Sequence, residues 1–250
     1  MITLTDLHVH TKYCDGKSTP EEMVIEAINK GVKNLGIVVH SYVEFDKDFC
    51  LSEDKYSQFI EEIANLKSKY QGKINLYCGI ELDYYSTPNA SGFDYVIGAV
   101  HYLEKDGEYY SVDLSPKMLE NAVNKAYNGS YLEFAKQYYS LVSKLCERPC
   151  DIIAHFDLLT KFNDSVRQID TDSKEYKTAW KGAVDKLLPH EKYFEINTGG
   201  IARAGKKEAY PSNEIIEYIK SRGGKFILSS DAHQKNGITF AFNEYEKIVK

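Results

Sequence analysis

Residues 5–10 read TDLHVH, a short strand pattern that ends on two histidines separated by one valine. Side chains i and i+2 of a β-strand point to the same side, so His8 and His10 offer two imidazole nitrogens to one point in space. That geometry suits a metal ion. Taken alone, the pair would equally fit one satisfied core histidine beside one at a wet strand end, so the remaining sequence has to decide. Six further runs share the form: NLGIVVH (34–40), INLYCGIE (74–81), YVIGAVH (95–101), DIIAH (151–155), KYFEIN (192–197) and FILSSDAH (226–233). Each is a short apolar or β-branched run that leads into a potential ligand. Amphipathic helical stretches separate them, which is the pattern of βα units around a mainly parallel sheet. In a βα barrel the carboxyl ends of the strands converge on one mouth. His8, His10, His40, Glu81, His101, His155, Glu195, Asp231 and His233 therefore meet there, taking six of the seven histidines. His190 is the exception, near a helix end where a solvated or capping role is expected.

At 250 residues the chain suits one large α/β domain, and no linker or low-complexity tract suggests a boundary within 1–250. A net charge of −6 argues against a surface built for a phosphate backbone, so nucleic acid is not an expected partner. No signal-peptide pattern and no run of about 18 apolar residues occurs, and the expected compartment is the cytoplasm, with no membrane. Five cysteines, an odd number without a C-x-x-C motif, read as reduced thiols; Cys146 and Cys150 are possible helix neighbours, but lack two further nearby ligands. Helices are expected over 20–30, 52–72, 115–127, 130–147, 172–188, 211–222 and 239–249. The first is marked by Thr19 as N-cap, Pro20 at the first helical position, Glu22 closing a capping box and Gly31 as the stop.

Nitrogen and carboxylate ligands without cysteine suit zinc, iron or manganese, and the set exceeds what one ion can use. Two or three divalent ions are implied. Glu81 is the natural bridge, since a carboxylate can reach two cations about 3.5 to 4 Å apart. Paired ions serve hydrolysis by lowering the pKa of water, clamping an anionic substrate and stabilising a leaving oxygen, and phosphate esters are the class that most needs this.

These motifs resemble the polymerase and histidinol phosphatase (PHP) family: HVH matches its first motif, VVH its second, GIE and GAVH its middle motifs and SDAH its last. The resemblance runs from His8 to His233. FDYVIGAVHYL and EINTGG, with the length, are most similar to the stand-alone L-histidinol-phosphate phosphatase branch. The family implies a distorted seven-stranded TIM-like (βα) barrel with a trinuclear site. By that resemblance His8, His10, Glu81 and Asp231 hold one ion, Glu81 bridges to a second held by His101 and His155, and Asp15, His40 and His233 hold the third. Asp15 enters only through the resemblance; by itself it reads as a turn residue before Gly16. Val39 stands where the family often has an acidic residue, and Glu195 reads as a substrate contact or a residue supporting the ligands.

Substrate recognition is expected in NTGGIARAGKKEAYPS (197–212), where Arg203 can present a planar fork to phosphate oxygens, the alternative being a solvated basic loop with Lys206 and Lys207. Lys161 is a second candidate. The expected activity is metal-dependent hydrolysis of L-histidinol phosphate, a small-molecule phosphate ester, in histidine biosynthesis, with Arg203 holding phosphate and Asp231 or His233 passing a proton to the leaving alkoxide. Another small phosphate or a nucleotide end is the alternative substrate, and a non-catalytic metal-stabilised binding module the alternative class. Oligomeric state is not legible in the sequence.

Overall fold

A computed structural model describes residues 4–166 and 168–249. Seven parallel strands form the main sheet: β1 (Thr5–Val9), β2 (Asn34–His40), β3 (Asn75–Asp83), β4 (Tyr95–Ala99), β7 (Ile152–Ile153), β8 (Tyr193–Asn197) and β9 (Lys225–Ser229), paired in that order. The sheet curls until its edges meet. Val9 bridges Ala232 in parallel, and His10 N donates to Ala232 O at 2.8 Å, so the seven strands make the nearly closed barrel expected from the sequence. Between β4 and β7 lie a hairpin, β5 (Tyr102–Lys105) with β6 (Glu108–Ser111), and two helices, α3 (Pro116–Ala126) and α4 (Tyr131–Val142). The other helices are α1 (Pro20–Asn29), α2 (Tyr56–Lys69), α5 (Lys174–Leu187), α6 (Gly199–Ala204), α7 (Asn213–Ser221) and α8 (Phe242–Tyr245). No helix among the described residues is long and apolar enough to cross a membrane.

Strand periodicity sorts the side chains into two faces. On β2 and β3 the residues Leu35, Ile37, Val39, Leu76, Cys78, Ile80 and Leu82 join Met23, Phe59 and Ile63 of α1 and α2 in one buried cluster outside the barrel. Val39 is thus a packing position, with no exposure to carry a charge. The alternate residues point inwards. Val38, Ile97, Ala99, Ile152 and Ala154 fill the barrel, and the ring of Tyr95 lies across Gly36 and Gly79, where any Cβ would collide with it. Above that plug the same inward register reaches His40 and Glu81, which are paired across β2 and β3.

The first helix forms as its end signals require: Thr19 accepts from Glu22 N, and Glu22 reaches back to Thr19 N at 2.8 Å. Other expectations need correction. The helix expected over 52–72 opens with a 3₁₀ turn at Glu53–Lys55, and that over 130–147 passes from α4 into a 3₁₀ turn at Ser143–Glu147. Cys146 lies in this turn and Cys150 beyond it, so they are not neighbours on one helix; each thiol donates to a backbone carbonyl. The helix expected over 239–249 shrinks to α8, because Thr239 and Ala241 adopt left-handed backbone at φ 55° and 56°. The hairpin was not anticipated, although its two-residue Asp106–Gly107 turn, with both φ positive, is a strong hairpin signal. Arg203 sits in helix α6, not in a loop.

Candidate metal centre

Glu81 stands at the centre of the barrel mouth, 1% exposed. Its Oε2 faces His8 Nε2 and His10 Nε2, each at 3.2 Å, and His40 Nδ1 at 3.0 Å. Its Oε1 faces His101 Nε2 at 3.3 Å and His155 Nε2 at 2.9 Å. The two oxygens therefore serve two sets of imidazoles, which is the arrangement a bridging carboxylate needs. Asp231 Oδ1 closes the first set, 3.7 Å from His8 and 3.5 Å from His10. Asp15, from the loop after β1, faces His40 Nε2 at 3.5 Å and His233 Nε2 at 3.0 Å. Three overlapping groups of ligand atoms result, each spanning no more than 4.8 Å: His8, His10 and Glu81; His40, Glu81 and His101; and His10, Asp15, His40 and His233. Seven of the nine residues expected to hold metal fall in these groups, and His155 and Asp231 border them, 2.9 Å from Glu81 and 3.5 Å from His10.

The donor set fits divalent cations. His8 Nε2 and His10 Nε2 approach to 3.0 Å where both side chains are fully buried, so ring nitrogens and carboxylate oxygens converge on one point. Glu81 Oε2 and Asp15 Oδ1 accept no well-formed hydrogen bond from any described residue, although imidazole nitrogens stand at 3.0 Å and 3.5 Å. A cation between such atoms would relieve the crowding. Burial and the neighbouring His40 and His233 push His10 down to about 3, leaving it a neutral donor. Burial would raise Glu81, but His40, His8 and His101 outweigh it and hold the carboxyl well below its usual range. Burial likewise opposes ionisation of Asp231 and is outweighed by Arg203 and His8. The carboxylates are thus ionised and ready to bind.

Further carboxylates orient the imidazoles from behind. Glu195 is fully buried: Oε1 meets His8 Nδ1 at 2.6 Å, and Oε2 accepts from His155 N at 3.0 Å and Asn197 Nδ2 at 2.9 Å. It has no face left for a ligand, so the substrate contact considered for Glu195 gives way to a positioning role. Asp83 does the same for His101, accepting from its backbone N at 2.9 Å with Nδ1 at 3.4 Å. Asp6 accepts from Ser230 N and Oγ, at 3.0 Å and 2.6 Å, and so anchors the turn that delivers Asp231 in a left-handed backbone at φ 50°. The sequence reading missed Asp83, Asn197 and Asp6. Asp83 and Asn197 lie two residues from Glu81 and Glu195 on the same strands, and that spacing was the available signal, whereas a bulge between Asp6 and Val9 breaks it for Asp6.

The cleft above the cluster is lined by Val43, Phe49, Leu114 and Leu158 as well as by Gly199, Gly200 and Arg203 of α6. Arg203 enters it from α6, with Nη2 donating to Asp231 Oδ2 at 2.8 Å and Nη1 3.1 Å from His233 Nε2. Lys161 lines the cleft beside Asp113, to which it donates at 2.9 Å. Lys206 is 7% exposed and donates to Thr160 Oγ1, so it is not part of a solvated basic loop, whereas Lys207 is exposed. His190 lies apart from the cluster, exposed at the end of the 3₁₀ turn Leu188–His190 that follows α5.

The family model for the PHP domain matches residues 6–199. The chain is 28% identical to a Deinococcus radiodurans protein named "Probable histidinol-phosphatase", over all of this chain and 94% of that one. It is 22% identical to the histidinol-phosphatase of Bacillus subtilis, over 96% and 97% of the two chains. A crystal structure from Listeria monocytogenes superposes with a TM-score of 0.86 at 21% identity, covering 96% of this chain and 99% of the other. The histidinol phosphate phosphatase of Lactococcus lactis, solved with zinc, L-histidinol and phosphate, gives a TM-score of 0.74 at 20% identity, covering 100% and 93%.

Proposed function

The chain belongs to the PHP domain family, and on that premise we propose that it is a metal-dependent phosphomonoesterase hydrolysing L-histidinol phosphate to L-histidinol and phosphate. The observation that carries the chemistry is Glu81, whose two oxygens face separate imidazole sets within 3.3 Å at the floor of a cleft that also holds Arg203. The substrate follows from the relatives, which bear histidinol-phosphatase names across nearly their whole length. The whole chain, 1–250, acts as a single domain in this reading, since β1 closes on β9 and so ties its two ends into one barrel.

His8, His10, Glu81 and Asp231 would hold one ion, Glu81, His101 and His155 a second, and Asp15, His40 and His233 a third, with zinc, iron or manganese as the suitable metals. Bound there, the ions would lower the pKa of water and neutralise phosphate charge. The protein does the rest. Arg203 presents its guanidinium to phosphate oxygens while its contact with Asp231 fixes the fork. Asp231 and His233 flank that fork, and in this reading one or the other relays a proton to the leaving oxygen. Lys161 and Asp113 face the outer cleft, where the alcohol portion of the ester would lie. All five cysteines are free thiols, in keeping with a cytoplasmic enzyme.

The test is a panel of phosphomonoesters assayed with purified, metal-supplemented protein. Histidinol phosphate should exceed the others in kcat/KM by at least about tenfold, the scale of one recognised polar group. Equal rates across the panel would remove the substrate assignment, and no hydrolysis with zinc, iron or manganese would remove the activity.

A further inference from the structure

Tyr210 is 2% exposed, and its hydroxyl has no hydrogen-bond partner among the described residues. The side chain nevertheless lines the cleft, together with His155, Lys161 and Arg203. Its position is tightly set. The backbone of Tyr210 pairs with Asn197 at the end of β8, donating at 2.9 Å and accepting at 2.6 Å. Its ring packs so closely on Gly200 of α6 that a Cβ there would come within 2.6 Å of it. Lys206 Nζ stands 4.9 Å from the ring centroid, and the His155 ring meets it edge-on at 6.4 Å.

A buried hydroxyl without a partner destabilises the fold, whereas phenylalanine would fill the same space without that cost. A ligand bound in the cleft that Tyr210 lines would supply that partner. Burial, with Asp157 and Asp113 nearby, holds the phenol well above its usual pKa, so it remains a donor. The ligand end that brings unpaired acceptors to a wall shared with Arg203 and His155 is a phosphate.

We propose that the Tyr210 hydroxyl donates a hydrogen bond to the phosphoryl group of the bound substrate, making Tyr210 a substrate-binding residue of the cleft it shares with Arg203 and His155. The inference rests on the phosphomonoesterase reading above and adds a residue to it. A rigidly held donor of this kind needs no reorganisation when substrate arrives, which is how such a group contributes most to turnover.

The experiment compares Tyr210→Phe with wild type, both metal-loaded, in three measurements: calorimetric titration with inorganic phosphate, kcat/KM on histidinol phosphate and on p-nitrophenyl phosphate, and thermal melting. The variant should bind phosphate about tenfold more weakly, the scale of one lost hydrogen bond, and lose about ten- to a hundredfold in kcat/KM on both esters. Its melting temperature should stay level or rise, since an unpaired buried hydroxyl has gone. Unchanged phosphate binding overturns the proposal, whether kinetics are also unchanged or the loss is confined to histidinol phosphate. A clear drop in melting temperature with loss of metal would mark a structural role and overturn it as well. Should wild type hydrolyse p-nitrophenyl phosphate but not histidinol phosphate, the substrate reading fails while the phosphate titration still decides the role of Tyr210.

Discussion

Glu195 Oε1 lies 2.6 Å from His8 Nδ1, and both side chains are closed to solvent at the carboxyl end of the barrel. The contact fixes the His8 ring so that Nε2 faces Glu81 and Asp231. Glu195→Gln keeps the volume but removes the charge that pairs with this imidazole. It should weaken metal retention by about ten- to a hundredfold, the usual cost of losing a carboxylate behind a ligating histidine. Titration of the metal-free variant with zinc measures this, and an affinity equal to wild type would mean that Glu195 merely fills space.

Glu81 and His190 are opposite cases among the residues able to bind metal. Glu81→Ala should abolish turnover and lower the metal content from about three ions per chain, because no neighbouring side chain can bring two oxygens to the same point. His190→Ala, in the exposed 3₁₀ turn after α5, should leave both unchanged. Elemental analysis and steady-state rates on the two variants are the measurements. Equal losses, or a wild-type protein that takes up at most one ion after supplementation, would contradict the trinuclear reading.

Arg203 donates to Asp231 across a side chain that is 40% exposed, so part of its fork is free to meet a ligand. Arg203→Ala should reduce kcat/KM for histidinol phosphate by about ten- to a thousandfold, the range for one aimed donor on accumulating phosphoryl charge. Arg203→Lys should recover only part of this, because an ammonium keeps the charge without the bidentate geometry. Metal content, measured alongside, should stay constant. If both variants match wild type, Arg203 has no part in phosphate binding.

Cys78 and Cys150 are 2% and 4% exposed, and burial pushes both thiols up to about 12. The thiolate is the reactive form, so raising the pKa above the ordinary 8.5 lowers reactivity at any working pH. At pH 8 the thiolate fraction falls from roughly a quarter to about one in ten thousand. In the folded protein both should resist alkylation that labels them within minutes once the chain is unfolded. Peptide mapping after timed labelling reads this directly; equal rates in the two states would show that neither site is closed.

The strands, their carboxyl-end ligands and the first helix could be read locally because their signals repeat over two to four residues. His8 and His10 share a face by strand periodicity, and Thr19 and Glu22 close a capping box within one helical turn. Gathering those strand ends at one mouth needed only the rule that parallel βα units aim them the same way. Local signals failed where the backbone leaves regular geometry: the left-handed residues at 239 and 241 stop a helix that apolar spacing allowed, and α6 turns an expected loop into the support of Arg203.

What the sequence by itself determined is therefore the alternation of strands and helices and the strand-end residues that converge at the mouth, which follow from short-range periodicity, with the seven-stranded barrel and Asp15 added by the family resemblance. Only the tertiary structure decided which group stands behind which. Glu195 reaches His8 across 187 residues of sequence, and Asp15 leaves its loop to face His40 and His233. Tyr95 fills the gap left by Gly36 and Gly79, and Tyr210 is pressed into the cleft wall by Gly200. These relations depend on strand register and on closure of β1 against β9, which bring distant residues within a few ångströms; no pattern confined to neighbouring positions carries that information.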